Sequence, residues 1–450
     1  MLGLQHVAAL SAVFIMAVNT QDINAYPPNV TLTNTTTSMY SLSNDTEFAF
    51  ILSEYLSLAN EGGSATGEVL RAAAVIEPSN GESWYREFRF LADSIQAQAV
   101  RADKAKSWVS ARSAYFRSAS YYRAADFFLH GDQSDPRINT LWQKQNESFT
   151  KAVNLLPRPP TFVQLNAKNF TVPAYFFPAD PQLPGGKKAH NKKRVPTVIV
   201  GTGYDGSQEA LYHSNCREII EHGWNCITYE GPGQPTVRRQ QELGFIPEWW
   251  EAVTPVVDYV RSRQDTDPER VALVGVSFGG LLAPLAATRE HRLAAVVAID
   301  GMLSLQRAIL GQFPAALTKL FLSGNSTAFD QEILGLLKNP EIPTAFSWVF
   351  NQGMWAWNTK SPFTWLSSVG DFHLDERSLA KIKCPVFVAS GQDDKTAPEQ
   401  PEEMARALGK KSHYFLFKTE LGAGEHCALG AEQQLALETL GWLDEVFSKV

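Results

Sequence analysis

The stretch Val271–Gly280, VALVGVSFGG, constrains this chain more than any other. Val271–Val274 is a short apolar run that predicts a buried strand, and it leads straight into Gly275-Val276-Ser277-Phe278-Gly279. A G-x-S-x-G between a strand and a helix is a sharp turn that lifts a serine hydroxyl above the end of a parallel sheet. The turn is tight and the following helix packs close, so Gly275 and Gly279 must lack side chains. Leu281–Thr288 predicts that helix, with Pro284 in its first turns, where proline is tolerated. In this geometry the backbone N–H of Phe278 points at the oxyanion that forms when Ser277 attacks a carbonyl.

A serine needs a base, and the base needs an orienting acid. In a strand–turn–helix hydrolase the chain order is serine, acid, histidine. Downstream, Cys384–Ser390 predicts another buried strand, which ends in Gly391-Gln392-Asp393-Asp394. Asp394 is the candidate acid from its spacing after Gly391; Asp393 is the alternative, read as a loop cap. Tyr414–Phe417 predicts the last strand, and the glycine-rich loop after it, Gly422–Cys427, carries His426. Ser277, Asp394 and His426 are therefore the candidate catalytic residues.

At 450 residues the chain exceeds one ordinary domain. The net charge of −7, from 40 basic and 47 acidic residues, gives no basic face and argues against a nucleic-acid partner. Val7–Val18 is apolar but too short to span a bilayer, and small residues follow it. Residues 1–25 read as a secretory signal with its cleavage region, without a stable membrane anchor, although Lys and Arg are missing from the segment ahead of the apolar run. Six N-x-S/T sequons, at Asn29, Asn34, Asn44, Asn146, Asn169 and Asn325, are candidate glycosylation sites. Three of them crowd into a Ser/Thr/Asn-rich stretch, 26–46, expected to be disordered. Cys216, Cys226, Cys384 and Cys427 permit two disulfides, but their places beside core strands and beside His426 favour free thiols. Their spacing, like that of the histidines, suits no metal, and the chemistry calls for no cofactor.

Helical patterning dominates residues 47–156, with breaks at Gly62-Gly63 and Pro78–Gly81. The stretch Ser110–Asp126 is rich in Tyr and Arg, which makes Tyr122 and Arg123 candidate substrate contacts. After Pro157–Pro160 the pattern switches to strands: a hairpin over Thr161–Phe177, then Val195–Val200 ending in Gly201–Gly206, then Asn225–Tyr229 ending in Glu230–Gln234. The first of these loops supplies the second oxyanion N–H, with Tyr204 the donor by position. The second lies where ligands collect in open α/β sheets, which makes Glu230 a candidate contact. Ala294–Ile299 ends in Asp300, a further candidate. The segment 301–378 carries Trp348, Phe350, Met354, Trp355, Trp357, Phe363 and Trp365, expected to form a lid over an apolar pocket, with Trp355 a candidate contact. The alternation of strands and helices predicts a mostly parallel sheet covered on both faces, over 157–300 and 379–450.

Five motifs in order, the Ser/Tyr/Arg-rich helix, GYDGSQE (203–209), YEGPGQ (229–234), GVSFGG (275–280) and GEHC (424–427), carry a resemblance. The chain resembles the α/β-hydrolases with an N-terminal helical cap related to 2,6-dihydropseudooxynicotine hydrolase. It is most similar to their fungal branch of polyketide-shortening pigment hydrolases and fusarin- and cytochalasan-cluster hydrolases. The resemblance spans roughly residues 48–450. It implies an α/β-hydrolase fold with a helical cap and a lid insertion, a small polyketide-derived substrate, and C–C or acyl hydrolysis or acyl-transfer ring closure. A homodimer is left open. Glu230 stands where such chains often carry Asp. A secreted carboxylesterase of broad scope is the alternative, and a silent binding protein on the same fold a further one.

Overall fold

The computed structural model describes residues 41–180 and 194–450. The apolar segment Val7–Val18, Asn29, Asn34 and loop residues 181–193 lie outside the described residues.

Helical propensity is used first. Asp45 caps α1 (Thr46–Ser57) through its carboxylate on the Phe48 N–H. Then come α2 (Thr66–Ala73), α3 (Gly81–Lys104), α4 (Trp108–Asp126) and α5 (Pro136–Asn154), the last begun by a proline behind its Asp135 cap. These helices bury Phe48, Trp84, Phe88, Tyr115 and Tyr121 against one another, and α4 is buried on almost every side of its second half.

Eight strands form one sheet in the order β1-β2-β4-β3-β5-β6-β7-β8. They are β1 (Thr161–Asn166), β2 (Thr171–Phe177), β3 (Val195–Gly201), β4 (Asn225–Tyr229), β5 (Thr266–Val276), β6 (Ala295–Ile299), β7 (Val386–Gly391) and β8 (Ser412–Phe417). The β1–β2 hairpin and the β2–β4 pair are antiparallel, and every pairing from β4 to β8 is parallel. Strand stretches such as VIV (198–200) and VALV (271–274) are apolar at consecutive positions because helices cover both faces. Between the strands lie α6 (Arg217–Glu221), α7 (Pro235–Gln241), α8 (Trp250–Ser262) and α9 (Gly279–Ala287). The segment after β6 is helical throughout: α10 (Leu305–Gly311), α11 (Ala315–Leu322), α12 (Ser326–Leu336), α13 (Thr344–Ala356), α14 (Pro362–Val369) and α15 (Glu376–Leu379). Two more helices, α16 (Gln400–Leu408) and α17 (Glu432–Phe447), close the far end of the sheet.

Two differences from the sequence reading have simple causes. The alternation of strands and helices calls for a helix between β3 and β4, but it is regular only over α6, because a π-turn at Tyr212–Cys216 precedes it. The α7 helix went unnoticed behind Gly231-Pro232-Gly233, whose breakers hide the Pro235 start. The four cysteines are free. Among the described residues no helix is long and apolar enough to cross a membrane.

Candidate active site

The parallel strands end at one edge, and the loops there carry the chemistry-bearing residues. Ser277 sits between β5 and α9 with φ of 62°, in the left-handed region that costs a non-glycine residue energy. The surrounding glycines show why the turn is possible. A Cβ on Gly275 would lie 1.9 Å from the carbonyl oxygen of Gly279, and one on Gly203 would lie 2.7 Å from the backbone nitrogen of Phe278. The loop after β3 therefore presses on the elbow at the N–H that sequence assigns to an oxyanion hole.

His426 stands in a short turn after β8, with its Nε2 2.8 Å from Ser277 Oγ and its Nδ1 2.8 Å from Asp394 Oδ2. Asp394 follows β7; its other carboxylate oxygen accepts from the Thr396 N–H. Asp393 turns the opposite way, to the Thr419 hydroxyl and the Gly424 backbone, which is the loop-cap role foreseen for it. Burial disfavours a charged imidazole, yet Asp394, Cys427 and Asp300 outweigh it and hold His426 well above its ordinary value. Burial likewise pushes Asp394 up, but the imidazole wins and leaves that carboxyl below its usual range.

Glu230 and Gln234, from the loop after β4, brace the loop after β3. Glu230 is fully buried and accepts the Gln208 N–H (2.9 Å) and the Thr236 N–H (2.6 Å) through separate oxygens. Gln234 donates to the carbonyls of Thr202 and Gly203 and accepts from the Gly231 N–H. The two motifs GYDGSQE and YEGPGQ are thus one hydrogen-bonded unit.

The N-terminal helices and the post-β6 helices meet above this edge. Phe50 of α1 lies 6.3 Å, ring to ring, from His426. Arg123 of α4 donates to the carbonyl of Asp205. From α13, Gln352 donates to the Tyr204 carbonyl, and the Tyr204 hydroxyl donates to the Val349 carbonyl at 2.6 Å. Trp348 of α13 stacks on Phe127, just past α4, at 5.5 Å. Behind the elbow, Phe245, Trp357 and Phe372 surround Phe278 at 5.4–6.1 Å.

A group of carboxyls here escaped the sequence reading. Glu47 and Glu54 occupy one face of α1, seven residues apart, and Asp205 is in the loop after β3. Burial, then the charge of Asp205, pushes Glu47 up to about 8 and Glu54 up to about 7. Burial raises Asp205 as well, against the pull of Arg123 and His426. Carboxyls that keep a proton near neutrality donate hydrogen bonds instead of repelling an anion. The i, i+3, i+7 spacing of Glu47, Phe50 and Glu54 was the available signal, but nothing in the sequence says which partner that face meets.

Comparisons with known proteins agree with this architecture. The alpha/beta hydrolase family, Abhydrolase_6, matches residues 217–437. The crystal structure of 2,6-dihydroxy-pseudo-oxynicotine hydrolase superposes with a TM-score of 0.65 at 19% identity, covering 87% of this chain and 95% of that one. The fold is that of the α/β-hydrolases. Related sequences include Hydrolase LUC6 of Fusarium sp, 29% identical over 91% of this chain and 98% of its own. Another is the 20-hydroxy-prefusarin hydrolase FUS2 of Gibberella moniliformis, 28% identical over 86% and 93%.

Within this α/β-hydrolase fold the structure brings Ser277, His426, Asp394, Tyr204, Phe278 and Arg123 to one edge, and corrects the other candidate contacts. Tyr122 is buried on the far side of α4, its hydroxyl 2.7 Å from Asp93 and its ring under Lys144. Glu230 is spent on the backbone N–H groups of Gln208 and Thr236. Trp355 is buried, stacked on His130 at 4.1 Å with Arg239 over its face. Asp300 is buried against the His426 turn. Of the lid aromatics, Trp348 and Trp357 pack against the Tyr204 ring and Trp365 reaches its hydroxyl, whereas Phe350 and Phe363 pack among the lid helices. Among the described sequons, Asn44, Asn169 and Asn325 are exposed and Asn146 is half-buried on α5.

Proposed function

We propose that the chain is a serine hydrolase that tailors a small polyketide-derived metabolite. The observation that carries this is the continuous relay from Ser277 Oγ through His426 to Asp394, with both links at 2.8 Å. His426 takes the Ser277 proton as Oγ adds to a ketone or ester carbonyl, and the N–H groups of Tyr204 and Phe278 receive the oxyanion. Collapse breaks the C–C or C–O bond, and His426 returns its proton to the leaving enolate or alcohol. Water, or a nucleophile within the substrate, then releases the acyl group from Ser277. The name 20-hydroxy-prefusarin hydrolase, borne by one relative, supports a fungal metabolite as substrate. Glu54, which faces His426 and whose carboxyl burial pushes up to about 7, favours a substrate rich in carbonyl groups, to which such an acid can donate. The helices α1–α5 and the lid exclude bulk water, which lets an internal nucleophile compete for the acyl-enzyme.

A fluorophosphonate probe tests the central claim without knowledge of the substrate. The wild-type protein is expected to be labelled at Ser277, and folded Ser277→Ala to be unlabelled and to lose on the order of 10⁶ in ester turnover. Equal labelling of both proteins would refute the serine mechanism. We also propose that the protein enters the secretory pathway, a reading supported by the apolar stretch Val7–Val18 in the sequence and by the exposure of the sequons at Asn44, Asn169 and Asn325.

A further inference from the structure

Two carboxylates, not one, reach the same nitrogen of His426. Asp394 Oδ2 is 2.8 Å from Nδ1 and Asp300 Oδ2 is 3.0 Å from it. They arrive from different strands: Asp394 follows β7, and Asp300 follows β6, the strand between β7 and the serine strand β5. Asp300 is 2% exposed, in the left-handed region at φ of 56°. A buried, unmatched carboxylate in a costly backbone conformation needs compensating contacts. Here the compensation is local: the same Oδ2 accepts the backbone N–H of Cys427, in the turn where Cys427 and Ala428 also have positive φ. Asp300 thus grips the histidine turn by its backbone and the imidazole by its edge.

We propose that Asp300 is a second positioning carboxylate for His426, sharing the Nδ1 proton with Asp394 and able to hold the ring on Ser277 when Asp394 is lost. This rests on the serine-hydrolase reading above. Nδ1 carries a single hydrogen, so the two acceptors divide it, and the ring has no free direction in which to swing. Both charges also stabilise the imidazolium that forms when Ser277 gives up its proton. They do so beside several other titratable groups that face the ring: Cys427 and Glu425 on its own turn, Glu54 on α1 and Asp205 after β3.

The test compares wild type, Asp394→Ala, Asp300→Asn and the double variant. Rates of fluorophosphonate labelling and of p-nitrophenyl acetate hydrolysis are followed as functions of pH, and folding is checked by thermal melting. Where a histidine has one carboxylate partner, losing it costs about 10⁴ in kcat. With Asp300 in reserve, Asp394→Ala is expected to lose about 10² or less, and the double variant to fall to about 10⁴ below wild type. The base must be neutral to act, and Asp300 favours its charged form. Asp300→Asn, which keeps the side chain's shape, is therefore expected to move the acid limb of both profiles to lower pH. An Asp394→Ala variant already as slow as the double variant would overturn the proposal, as would an acid limb unmoved in Asp300→Asn. Failure of the underlying reading looks different: wild type itself would not be labelled at Ser277.

Discussion

Asp126, at the end of α4, offers a quantitative test of how the N-terminal helices are fixed to the sheet. It is 2% exposed, and its Oδ2 lies 2.6 Å from Arg239 on α7, 3.3 Å from His130 and 3.7 Å from Arg123. Arg123 and Arg239 are both buried, and Asp126 is the carboxylate paired with both. Burial alone would raise its pKa, but Arg239, His130 and Arg123 overcome this and hold it well below the carboxylate range. Asp126→Asn keeps the shape and removes the carboxylate charge that pairs with both guanidinium groups. Breaking a buried pair in this way costs about 3–5 kcal/mol. The loss should be local, so backbone amides of α4 and α7 are expected to exchange with deuterium about 10²–10⁴ times faster, at about 1.4 kcal/mol per tenfold. Asp444→Asn, which breaks an exposed pair with His222, is the control and should cost less than about 1 kcal/mol. The pH sign follows from the lowered pKa. Asp126 contributes in full above its unfolded value of 3.8, so the gap between wild type and variant should stay constant from about pH 8 to 5 and close only below 3.8. An Asp126→Asn penalty no larger than that of Asp444→Asn would refute the assignment of this network as the clamp.

Gly275→Ala is expected to abolish labelling of Ser277 and to lower stability, because the new Cβ meets the backbone of Gly279 at 1.9 Å and Ala283 at 2.8 Å, neither a movable side-chain tip. Gly311→Ala, with no heavy atom within 4 Å, is the control and should leave labelling at the wild-type rate. Endoglycosidase treatment of protein from a secreting host should increase gel mobility, and Asn325→Gln should remove part of that shift; an unglycosylated product would contradict secretory entry. Asn325 also caps α12 through its side-chain oxygen, which leaves its amide nitrogen for the glycan.

What could be read from the sequence was what the backbone dictates. The elbow announced itself because a side chain at 275 would strike the Gly279 carbonyl in the same turn, at 1.9 Å, a local steric fact. Asp394 and His426 followed from strand order, and β4 was placed to the residue because its neighbours bury both faces. Long-range side-chain partnerships had no such signal. Glu230 and Asp205 both follow core strands, yet Glu230 is bound to two N–H groups while Asp205 shares the site with Glu54. Tyr122 and Arg123 are adjacent on one helix, and adjacent helical residues point about 100° apart, so one faces α3 and the other the sheet edge. Choosing between them needed the rotation of α4, which tertiary packing sets.

That rotation bears on what the N-terminal helices do. If they served only to cover apolar surface, the α4 face toward the sheet would be apolar. Instead it carries Arg123 and Asp126, two buried charges whose desolvation is costly. Arg123 spends one N–H on the carbonyl of Asp205, two residues from Gly203, which itself touches the Phe278 nitrogen. Asp126 reaches Arg239 on α7, directly behind the loop that braces Thr202 and Gly203 through Gln234. The loop at residues 202–205 is therefore held from two sides, by α4 above and by the β4–α7 loop below. A loop held this way keeps its N–H groups aimed when substrate enters, which is how preorganised donors lower a barrier. The charged face of α4 is better explained as part of that support than as packing, and it ties the helices to the backbone of residues 202–205, the loop proposed to supply an oxyanion N–H.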